Sequence, residues 1–369
     1  MTIGIDASRA FQKNKTGIEE YSYQVIKHLR DHLGNDQVIL YCNPAINKKE
    51  FIDFDLPEKW KIKYLRAPFF WTQIRLSLEM LFHPVDALFV PAHTVPSAHP
   101  ENTAVTIHGL EYEFCPKSYS FLEKAYMRFV IKNSCKWAKK IITVSENTKR
   151  DLGRLYEVPE KKMTVIYEGI NSEASDKISN PKFKNSKYEI PDRKYFFFVG
   201  RLEERKNICG LIEAFDILKN KYKVPHKLVL AGKFGYGEKE IRNKIESSRH
   251  KKEIILPGYV FNKEKFWLMG NADAFLFPTL YEGFGLPILE AQSAGTPVVT
   301  SNISSMPEVA GDSAVLVDPK NPNEIAEAAY RLISNESYKN DIIKKGYDNI
   351  KRFSWEKCAE NIADTINNT

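Results

Sequence analysis

Short apolar runs recur along the whole chain and alternate with longer stretches of helical periodicity. Runs of three to five apolar residues are typical of parallel strands that are buried on both faces and joined by helices. The first series of runs covers 3–6, 38–41, 62–65, 87–90, 104–107, 141–144 and 163–166. The second series covers 195–199, 228–231, 254–256, 274–277, 298–300 and 314–317. The pattern predicts an α/β protein with two parallel sheets.

A polar stretch separates the two series. It is rich in Ser, Lys and Asn and contains Pro181 and Pro191, which is the composition of an interdomain linker. A chain of 369 residues is long enough for two domains. We predict Rossmann-like domains over 1–172 and 195–352, a linker over 173–194, and a C-terminal helix within 353–369. Ser354 is its expected N-cap.

Composition limits the class of protein without selecting a partner. The net charge of +7 is compatible with nucleic acid, anionic lipid or phosphorylated small molecules. Five cysteines are scattered without paired spacing, and the sequence shows no leader-like start. No apolar run approaches the roughly 18 residues that span a bilayer. We therefore expect a cytoplasmic protein, with any membrane contact peripheral and at the inner face.

A glycine-interrupted stretch follows the fourth run of the second series. Residues 279–290 read Thr-Leu-Tyr-Glu-Gly-Phe-Gly-Leu-Pro-Ile-Leu-Glu. Gly283 and Gly285 permit close approach of the backbone to a ligand. A helix that starts near Gly285 would direct the amides of Phe284, Gly285 and Leu286 toward a phosphate. The plain alternative is a tight strand-to-helix turn.

Two carboxylates flank this turn. Glu282 lies in the loop, and Glu290 lies about one and a half turns into the predicted helix. They can therefore accept hydrogen bonds from different hydroxyl groups of one ligand. In the plain alternative both face water.

Two bases follow the first strand of the second series, in Gly200-Arg201-Leu202-Glu203-Glu204-Arg205-Lys206. Arg201 offers a fork of donors and Lys206 a point charge, which together suit a diphosphate. In a doubly wound sheet, the ends of the first and fourth strands meet at the ligand-binding edge. We therefore expect these bases beside the glycine loop.

These motifs together resemble the retaining nucleotide-sugar glycosyltransferases of family four, which have the GT-B architecture. The resemblance is carried by Glu, seven residues and Glu around Gly-Phe-Gly-Leu-Pro, and by Gly-Arg, four residues and Lys. It implies two Rossmann-like domains that face each other across a donor and acceptor cleft, with the C-terminal helix crossing back to the first domain. Gly-Ile-Asp at 4–6 and Thr-Gly-Ile at 16–18 look most similar to bacterial polysaccharide mannosyltransferases.

The resemblance also implies roles for individual residues. Glu282 would bind sugar hydroxyls and Glu290 the ribose, while the strand-end turn of Gly258 and Tyr259 would border the base. The predicted catalytic residues are Glu282, His108, Arg201 and Lys206. The predicted donor-binding residues are Gly17, Arg201, Lys206, Gly258, Tyr259, Gly283, Phe284, Gly285, Leu286 and Glu290.

Two of these residues lie in the first half of the chain. Gly17 stands where a loop enters a helix, and the resemblance places such a glycine near the donor phosphates. A plain helix-entry glycine is the alternative. His108 follows the strand at 104–107, and the resemblance places it near the transferred sugar. A structural histidine bonded to nearby backbone is the alternative. His93 ends the preceding strand and is a weaker candidate.

The predicted reaction is retaining, metal-independent transfer of a sugar from a nucleotide sugar to a glycan or lipid-linked glycan. The best match is mannose from GDP-mannose, and no cofactor or nucleic acid partner is expected. The alternatives are a UDP-sugar donor, an epimerase or phosphorylase, or a non-catalytic membrane-binding or nucleic-acid-binding relative. Asp53-Phe54-Asp55 resembles a metal-binding pattern, but it lies in a loop that no strand feeds.

Residues 121–140 predict one amphipathic helix with a basic stripe. The stripe comprises Lys124, Arg128, Lys132, Lys136 and Lys140. The apolar residues opposite it are Leu122, Ala125, Tyr126, Phe129 and Val130. Such a stripe is either a solvated helix face or a surface for anionic lipid headgroups.

Overall fold

The computed structural model of the protein describes residues 1–12, 15–43, 54–67, 69–170 and 194–368. These residues group into two units. Unit 1 comprises Met1–Leu110, Phe121–Gly169 and Phe353–Thr369, and unit 2 comprises Glu111–Ser120 and Ile170–Arg352. The predicted linker, apart from Lys194, lies outside the described residues, as does Asp53.

Unit 1 is built on a parallel sheet with the strand order β3-β2-β1-β4-β5-β6-β7 among the residues described. Each strand overlaps one of the predicted apolar runs. The strands at the centre of the sheet are buried on both faces, whereas the two edge strands are partly exposed. The strands are β1 (Thr2–Asp6), β2 (Gln37–Cys42), β3 (Trp60–Tyr64), β4 (Ala87–Val90), β5 (Asn102–Ile107), β6 (Lys140–Thr143) and β7 (Met163–Val165).

Unit 2 repeats the arrangement, with the order β10-β9-β8-β11-β12-β13 in its described part. The strands are β8 (Tyr195–Val199), β9 (Lys227–Ala231), β10 (Ile254–Gly258), β11 (Ala274–Phe277), β12 (Val298–Ser301) and β13 (Val315–Val317). The strand order reverses direction between β1 and β4 and again between β8 and β11, which are the ligand-binding positions of doubly wound sheets. The prediction of two Rossmann-like sheets is confirmed.

Helices cover both sheets. In chain order they are α1 (Gly17–Leu33), α2 (Ser77–Phe82), α3 (Glu111–Phe114), α4 (Phe121–Trp137), α5 (Glu146–Tyr156), α6 (Ile208–Asn220), α7 (Glu238–Ser247), α8 (Asn262–Asn271), α9 (Leu286–Ser293), α10 (Met306–Ala310), α11 (Pro322–Ser334), α12 (Glu336–Asn349) and α13 (Trp355–Asn367). A π-helical turn, Trp71–Leu76, leads into α2.

The C-terminal helix α13 packs against α1 within unit 1. Its N-cap is Ser354, whose Oγ accepts a hydrogen bond from Lys357 N at 3.3 Å, as the sequence predicts. The buried Trp355 ring lies 6.0 Å from the Tyr21 ring of α1. Aromatic burial of this kind fixes the end of the chain on unit 1.

Residues 111–120 group with unit 2, although the chain before and after them belongs to unit 1. The predicted first domain, 1–172, includes this segment. Within unit 2, the Phe114 ring stacks on the Tyr281 ring at 4.5 Å with an interplanar angle of 10°. This contact joins the segment to the glycine loop, and nothing in the local sequence of 111–120 indicates such a distant partner.

Helix α4 begins at Phe121, as predicted, but ends earlier than the predicted 121–140 helix. It stops at Trp137. Lys139 N donates to Thr103 O of β5 at 2.7 Å, and β6 begins at Lys140. Lys140 therefore does not extend the helical stripe. Most of the apolar side chains opposite the stripe are exposed: Phe129 is 67% exposed and Leu122 is 78% exposed. None of the helices in the described part of the chain is both long and apolar enough to cross a bilayer.

Candidate active site

The candidate site lies at the carboxyl edge of the unit 2 sheet, where β8 and β11 are hydrogen-bonded neighbours. The segment containing Arg201 and Lys206 leaves β8, and the glycine loop leaves β11. Helix α9 begins at Leu286, with Gly285 as its N-cap at φ 120° and Pro287 in its first turn. The predicted strand, loop and helix are confirmed, and the parallel register brings both segments to one edge.

Two serines that follow β12 fix the glycine loop. Ser304 Oγ donates to Glu282 O at 2.6 Å and accepts from Glu282 N at 3.2 Å. Ser305 Oγ lies 2.9 Å from Glu282 O and 2.5 Å from Phe284 O, so its proton can be donated to either carbonyl. The backbone of the loop is therefore held by serine side chains that follow a third strand end.

Glu282 is bound by two bases. Lys206 Nζ is hydrogen-bonded to Glu282 Oε1, and Arg205 Nη1 lies 3.4 Å from Oε2. Arg205 Nη2 also bonds Glu203 Oε1 at 2.9 Å, while its Nη1 donates to Tyr281 O at 3.1 Å. The side chains of Lys206, Arg205 and Glu282 are each only 11–14% exposed. The arrangement is a buried carboxylate with one cation on each oxygen.

Electrostatics keeps these groups charged. Burial by itself would raise the pKa of Glu282, but the charges of Lys206 and Arg205 outweigh it and hold the pKa below its ordinary 4.5. Burial lowers the pKa of Lys206. The Glu282 carboxylate raises this pKa and the Arg205 charge lowers it further, and the net pKa lies below its ordinary value. Burial would also lower the pKa of Arg205, but Glu282, Glu111 and Glu203 raise it above its ordinary value.

Arg201 does not join this cluster. Its side chain is 72% exposed and lies 3.9 Å from Glu203 Oε2. The predicted pair of bases is thus one exposed guanidinium and one buried ammonium. Because Arg201 is exposed, it can bind a ligand at the strand edge without breaking a buried ion pair.

Glu290 stands on α9 and pairs with Lys265 of α8, Nζ to Oε1 at 2.6 Å. Both side chains are about one-fifth exposed. Gly258 ends β10 at φ 79°, and a Cβ there would meet nothing within 4 Å. Tyr259 beside it is 45% exposed. The predicted ribose and base contacts therefore lie on accessible surface of unit 2.

His108 in unit 1 is buried and bonded to protein on both ring nitrogens. Nε2 lies 2.8 Å from Pro91 O and donates to it, because a carbonyl only accepts. Nδ1 lies 3.4 Å from Glu168 Oε1, and the ring packs on Tyr21 at 4.5 Å. This is the backbone-bonded geometry of the structural alternative. The predicted sugar contact of His108 stays a prediction.

Gly17 is the first residue of α1, and a Cβ there would meet nothing within 4 Å. Packing within unit 1 therefore does not require a glycine. The preceding Thr16 and the third helical residue, Glu19, form a capping box, with Thr16 N donating to Glu19 Oε2 at 3.1 Å.

A cavity of about 630 Å³ opens at the carboxyl edge of the unit 1 sheet. Segments that follow β1, β2 and β4 line it together with the π-helical turn and α4. The lining residues are Ser8, Arg9, Gln12, Thr16, Ile18, Glu19, Asn43, Phe70, Trp71, Thr72, Gln73, Ala92, His93, Thr94, Tyr126 and Met127. A mixed polar and aromatic lining suits a sugar or another polar ligand.

Several residues of the unit 2 site were missed by sequence reasoning. Arg205 stands in a run of mixed charge, and only its contacts with Glu203 and Glu282 reveal its place. Ser304 and Ser305 could have been found, because they follow a predicted strand at the same sheet edge as the other site residues. Lys265 lies on a helix face and gives no such signal.

Replacement of Glu282 by Gln should destabilise the protein at neutral pH by on the order of 3 kcal/mol, because two buried cations lose their shared carboxylate. A carboxylate whose pKa is lowered in the folded state stabilises the fold fully at pH values above its ordinary pKa. This stabilisation is lost as the pH falls through the pKa of the folded state. The difference between wild type and Glu282→Gln should therefore shrink below 4.5, the ordinary pKa of this group. Urea unfolding across a pH series measures it.

The matched control is Glu246→Gln, which removes a carboxylate from an exposed pair with Lys251 at 2.9 Å. This variant should unfold as the wild type does, since exposed pairs contribute little. A Glu282→Gln difference that stays constant down to a pH of about 3 would contradict the ionised buried carboxylate.

Comparison with known families agrees with this geometry. The profile described as "Glycosyltransferase Family 4" matches residues 15–174, and the profile described as "Glycosyl transferases group 1" matches residues 179–349. Among solved structures, HepE from Anabaena in complex with UDP and glucose superimposes with a TM-score of 0.73 at 16% identity, covering 100% of this chain and 99% of that chain. The fold is that of these GT-B proteins.

Characterised bacterial relatives share more of the sequence. The O-antigen chain mannosyltransferase B of Escherichia coli is 31% identical over 270 residues, which are 72% of this chain and 70% of that protein. The O-antigen chain mannosyltransferase RfbU of Salmonella typhimurium is 27% identical over 79% of this chain and 78% of its own length. With both profiles, these similarities place the chain in glycosyltransferase family four, and it is a glycosyltransferase of that family.

Proposed function

We propose that the enzyme transfers mannose from GDP-mannose to a glycan or lipid-linked glycan, with retention of configuration and without a metal. The observation that carries the proposal is the meeting of Lys206, Glu282 and the N-terminus of α9 at the β8 and β11 strand ends. Relatives named as mannosyltransferases support the choice of sugar.

The proposed donor site must stabilise two opposite charges. When the anomeric carbon breaks its bond to the diphosphate oxygen, negative charge grows on the diphosphate and positive charge grows on the sugar ring. Lys206, the exposed Arg201 and the amide end of α9, from Gly283 to Leu286, would stabilise the diphosphate with fixed charges and dipoles. The acceptor oxygen then forms the new glycosidic bond on the face that the diphosphate leaves, and its proton passes to the departing diphosphate oxygen.

The remaining donor contacts are those that the family resemblance implies. Glu282 would accept hydrogen bonds from sugar hydroxyls, and Glu290 would accept them from the ribose beside Lys265. Gly258 and the exposed Tyr259 would border the base. A UDP-sugar donor is the alternative, because the structural relative HepE was solved with UDP and glucose.

The donor site can be tested by separating nucleotide binding from transfer. Lys206→Ala and Arg201→Ala should lower kcat more than donor affinity, because their charge matters more as the diphosphate leaves. Glu290→Ala should mainly weaken nucleoside diphosphate binding, by about 1 to 3 kcal/mol. Glu282→Ala should impair transfer and leave binding of the sugar-free diphosphate nearly unchanged. Calorimetry with GDP and UDP, beside initial rates, measures each effect.

The same experiments choose the donor and test metal independence. Tighter binding of GDP than UDP would support the mannose assignment, and the reverse would overturn it. A chelator should leave the rate intact. Complete loss of transfer with EDTA, rescued by manganese or magnesium, would contradict the proposed charge stabilisation. If all four substitutions left binding and rate at wild-type values, the donor site would lie elsewhere.

Gly17→Ala provides a test of the donor role of unit 1. The added methyl meets no protein atom, and Ala is favoured over Gly in a helix by about 1 kcal/mol, so stability should be kept or raised. We expect weaker donor binding, because the methyl would occupy space that the phosphates need. The control is Gly153→Ala in α5, where a Cβ is likewise almost uncontacted. Wild-type donor affinity in Gly17→Ala would leave Gly17 as a helix-entry residue.

The acceptor is proposed to bind in the unit 1 cavity. Its polar lining suits a glycan, and Trp71 and Tyr126 offer aromatic faces for sugar rings. Helix α4 borders the cavity through Tyr126 and Met127 while exposing apolar side chains on its first two turns. A cavity beside such a helix fits an acceptor whose sugar is attached to a lipid.

We further propose that α4 contacts an anionic membrane surface. Phe121 is 79% exposed, Leu122 is 78% exposed, and the helix also carries the predicted bases as far as Lys136. Apolar side chains beside basic ones are the composition of helices that lie in the membrane interface. Electrostatic attraction would bring the helix to the headgroups, and the apolar side chains would enter the boundary with the acyl chains.

Liposome binding should therefore depend on lipid charge and on salt. Lys132→Gln and Lys136→Gln should each weaken binding to phosphatidylglycerol vesicles about fivefold at low salt, from about 1 kcal/mol per base. Leu122→Ser should weaken binding at all salt concentrations. Lys351→Gln, an exposed base of unit 2, is the control. Absence of binding at low salt would leave α4 as a solvated face.

A further inference from the structure

The proposed function, on which the following inference rests, gives Lys206 and Glu282 separate ligands. In the structure they are hydrogen-bonded to each other, and each side chain is only 11–12% exposed. Lys206 therefore has to give up part or all of its pairing with Glu282 when it binds a diphosphate. A buried carboxylate without a cation is costly, so the second cation on Glu282 has to remain.

Arg205 is placed to be that second cation. It approaches Oε2 of Glu282 at 3.4 Å, whereas Lys206 occupies Oε1. The two bases therefore do not compete for one oxygen, and departure of Lys206 leaves the Arg205 contact in place.

Arg205 is also fixed more firmly than Lys206. Its guanidinium spans Glu203 Oε1 at 2.9 Å and Tyr281 O at 3.1 Å, and its own carbonyl accepts from Leu280 N at 2.9 Å. Side chain and backbone thus both join it to the loop that carries Glu282. A turn of this guanidinium toward a ligand would break two bonds to carboxylates and one to a carbonyl.

The Lys206 side chain is attached differently. Its ammonium bonds Glu282 and lies 5.2 Å from the Phe277 ring. A flexible stem with a point charge can exchange one anion for another, while a planar fork with several fixed acceptors cannot. Burial disfavours the charged form of Lys206, and the charge of a diphosphate would compensate for the lost carboxylate.

We propose that Arg205 is a positioning residue, which holds the Glu282 carboxylate ionised and in place while Lys206 exchanges that carboxylate for the donor diphosphate. Arg205 does not touch the donor; it acts through Glu282. Glu203 supports this position indirectly, because its carboxylate binds the other side of the Arg205 guanidinium.

The test compares Arg205→Met, which keeps the stem and removes the charge, with Arg205→Lys, which keeps the charge and removes the fork. Arg205→Met should lower kcat for sugar transfer about tenfold or more, and nucleoside diphosphate Kd should change by less than about threefold. The acidic limb of kcat should move to higher pH, because the pKa of Glu282 rises when a neighbouring positive charge is removed. Arg205→Lys should restore part of the rate and of the pH profile.

The control is Arg249→Met, an exposed arginine of the same unit, which should match the wild type in every measurement. A merely structural role of Arg205 would reduce the active fraction without moving the acidic limb. If Arg205→Met does not fold, Arg205→Lys alone should still show a lower kcat at unchanged diphosphate Kd.

Two results would overturn the inference. A nucleoside diphosphate Kd raised well beyond about threefold in Arg205→Met would make Arg205 a phosphate ligand, and an unchanged kcat and acidic limb would remove its positioning role. Both results apply only if the wild-type protein binds the diphosphate and consumes the sugar nucleotide. If the wild type does neither, the proposed function fails instead, so the two failures are distinguishable.

Discussion

The Glu282 carboxylate, buried between Lys206 and Arg205, is the interaction on which the unit 2 site depends. A buried charge is tolerated only with partners of opposite sign and with hydrogen bonds to its remaining lone pairs. This requirement joins the segment after β8 to the loop after β11, since each supplies one sign of charge. The same charges would meet a diphosphate and a sugar, so the site is held together by the groups that the proposed reaction uses.

The loop that carries Glu282 is held by apolar packing and by hydrogen bonds, and its Tyr281 and Phe284 side chains are buried. Ser304 and Ser305 hold its backbone from the end of β12, and Phe114 of the 111–120 segment stacks on its Tyr281. Hydrogen bonds thus add to apolar packing at the carboxyl edge of the sheet. A loop fixed in this way can present backbone amides to a ligand without reorganising, which is the condition for electrostatic stabilisation of a leaving group.

At the carboxyl edge of the unit 1 sheet, some groups are buried and bonded within the protein, and others are accessible to a ligand. His108 is bonded to Pro91 O and faces Glu168, and its contact with a sugar stays a prediction. The accessible features are the cavity, the uncontacted position at Gly17 and the exposed apolar turns of α4. An acceptor that combines sugar and lipid would match both the cavity lining and the adjacent helix.

The sequence by itself determined the two sheets, the strand positions, the helix that starts after Gly285, the Ser354 cap and the family. These follow from local patterns: apolar run length, glycine and proline placement, and a charged motif of fixed spacing. Only the tertiary structure decided which charges meet. Arg205 rather than Arg201 faces Glu282, Lys265 pairs with Glu290, Lys140 belongs to a strand, and residues 111–120 join unit 2. The physical reason is that such pairings depend on distances between residues far apart in the chain, and burial then selects among charges that look equivalent in the sequence.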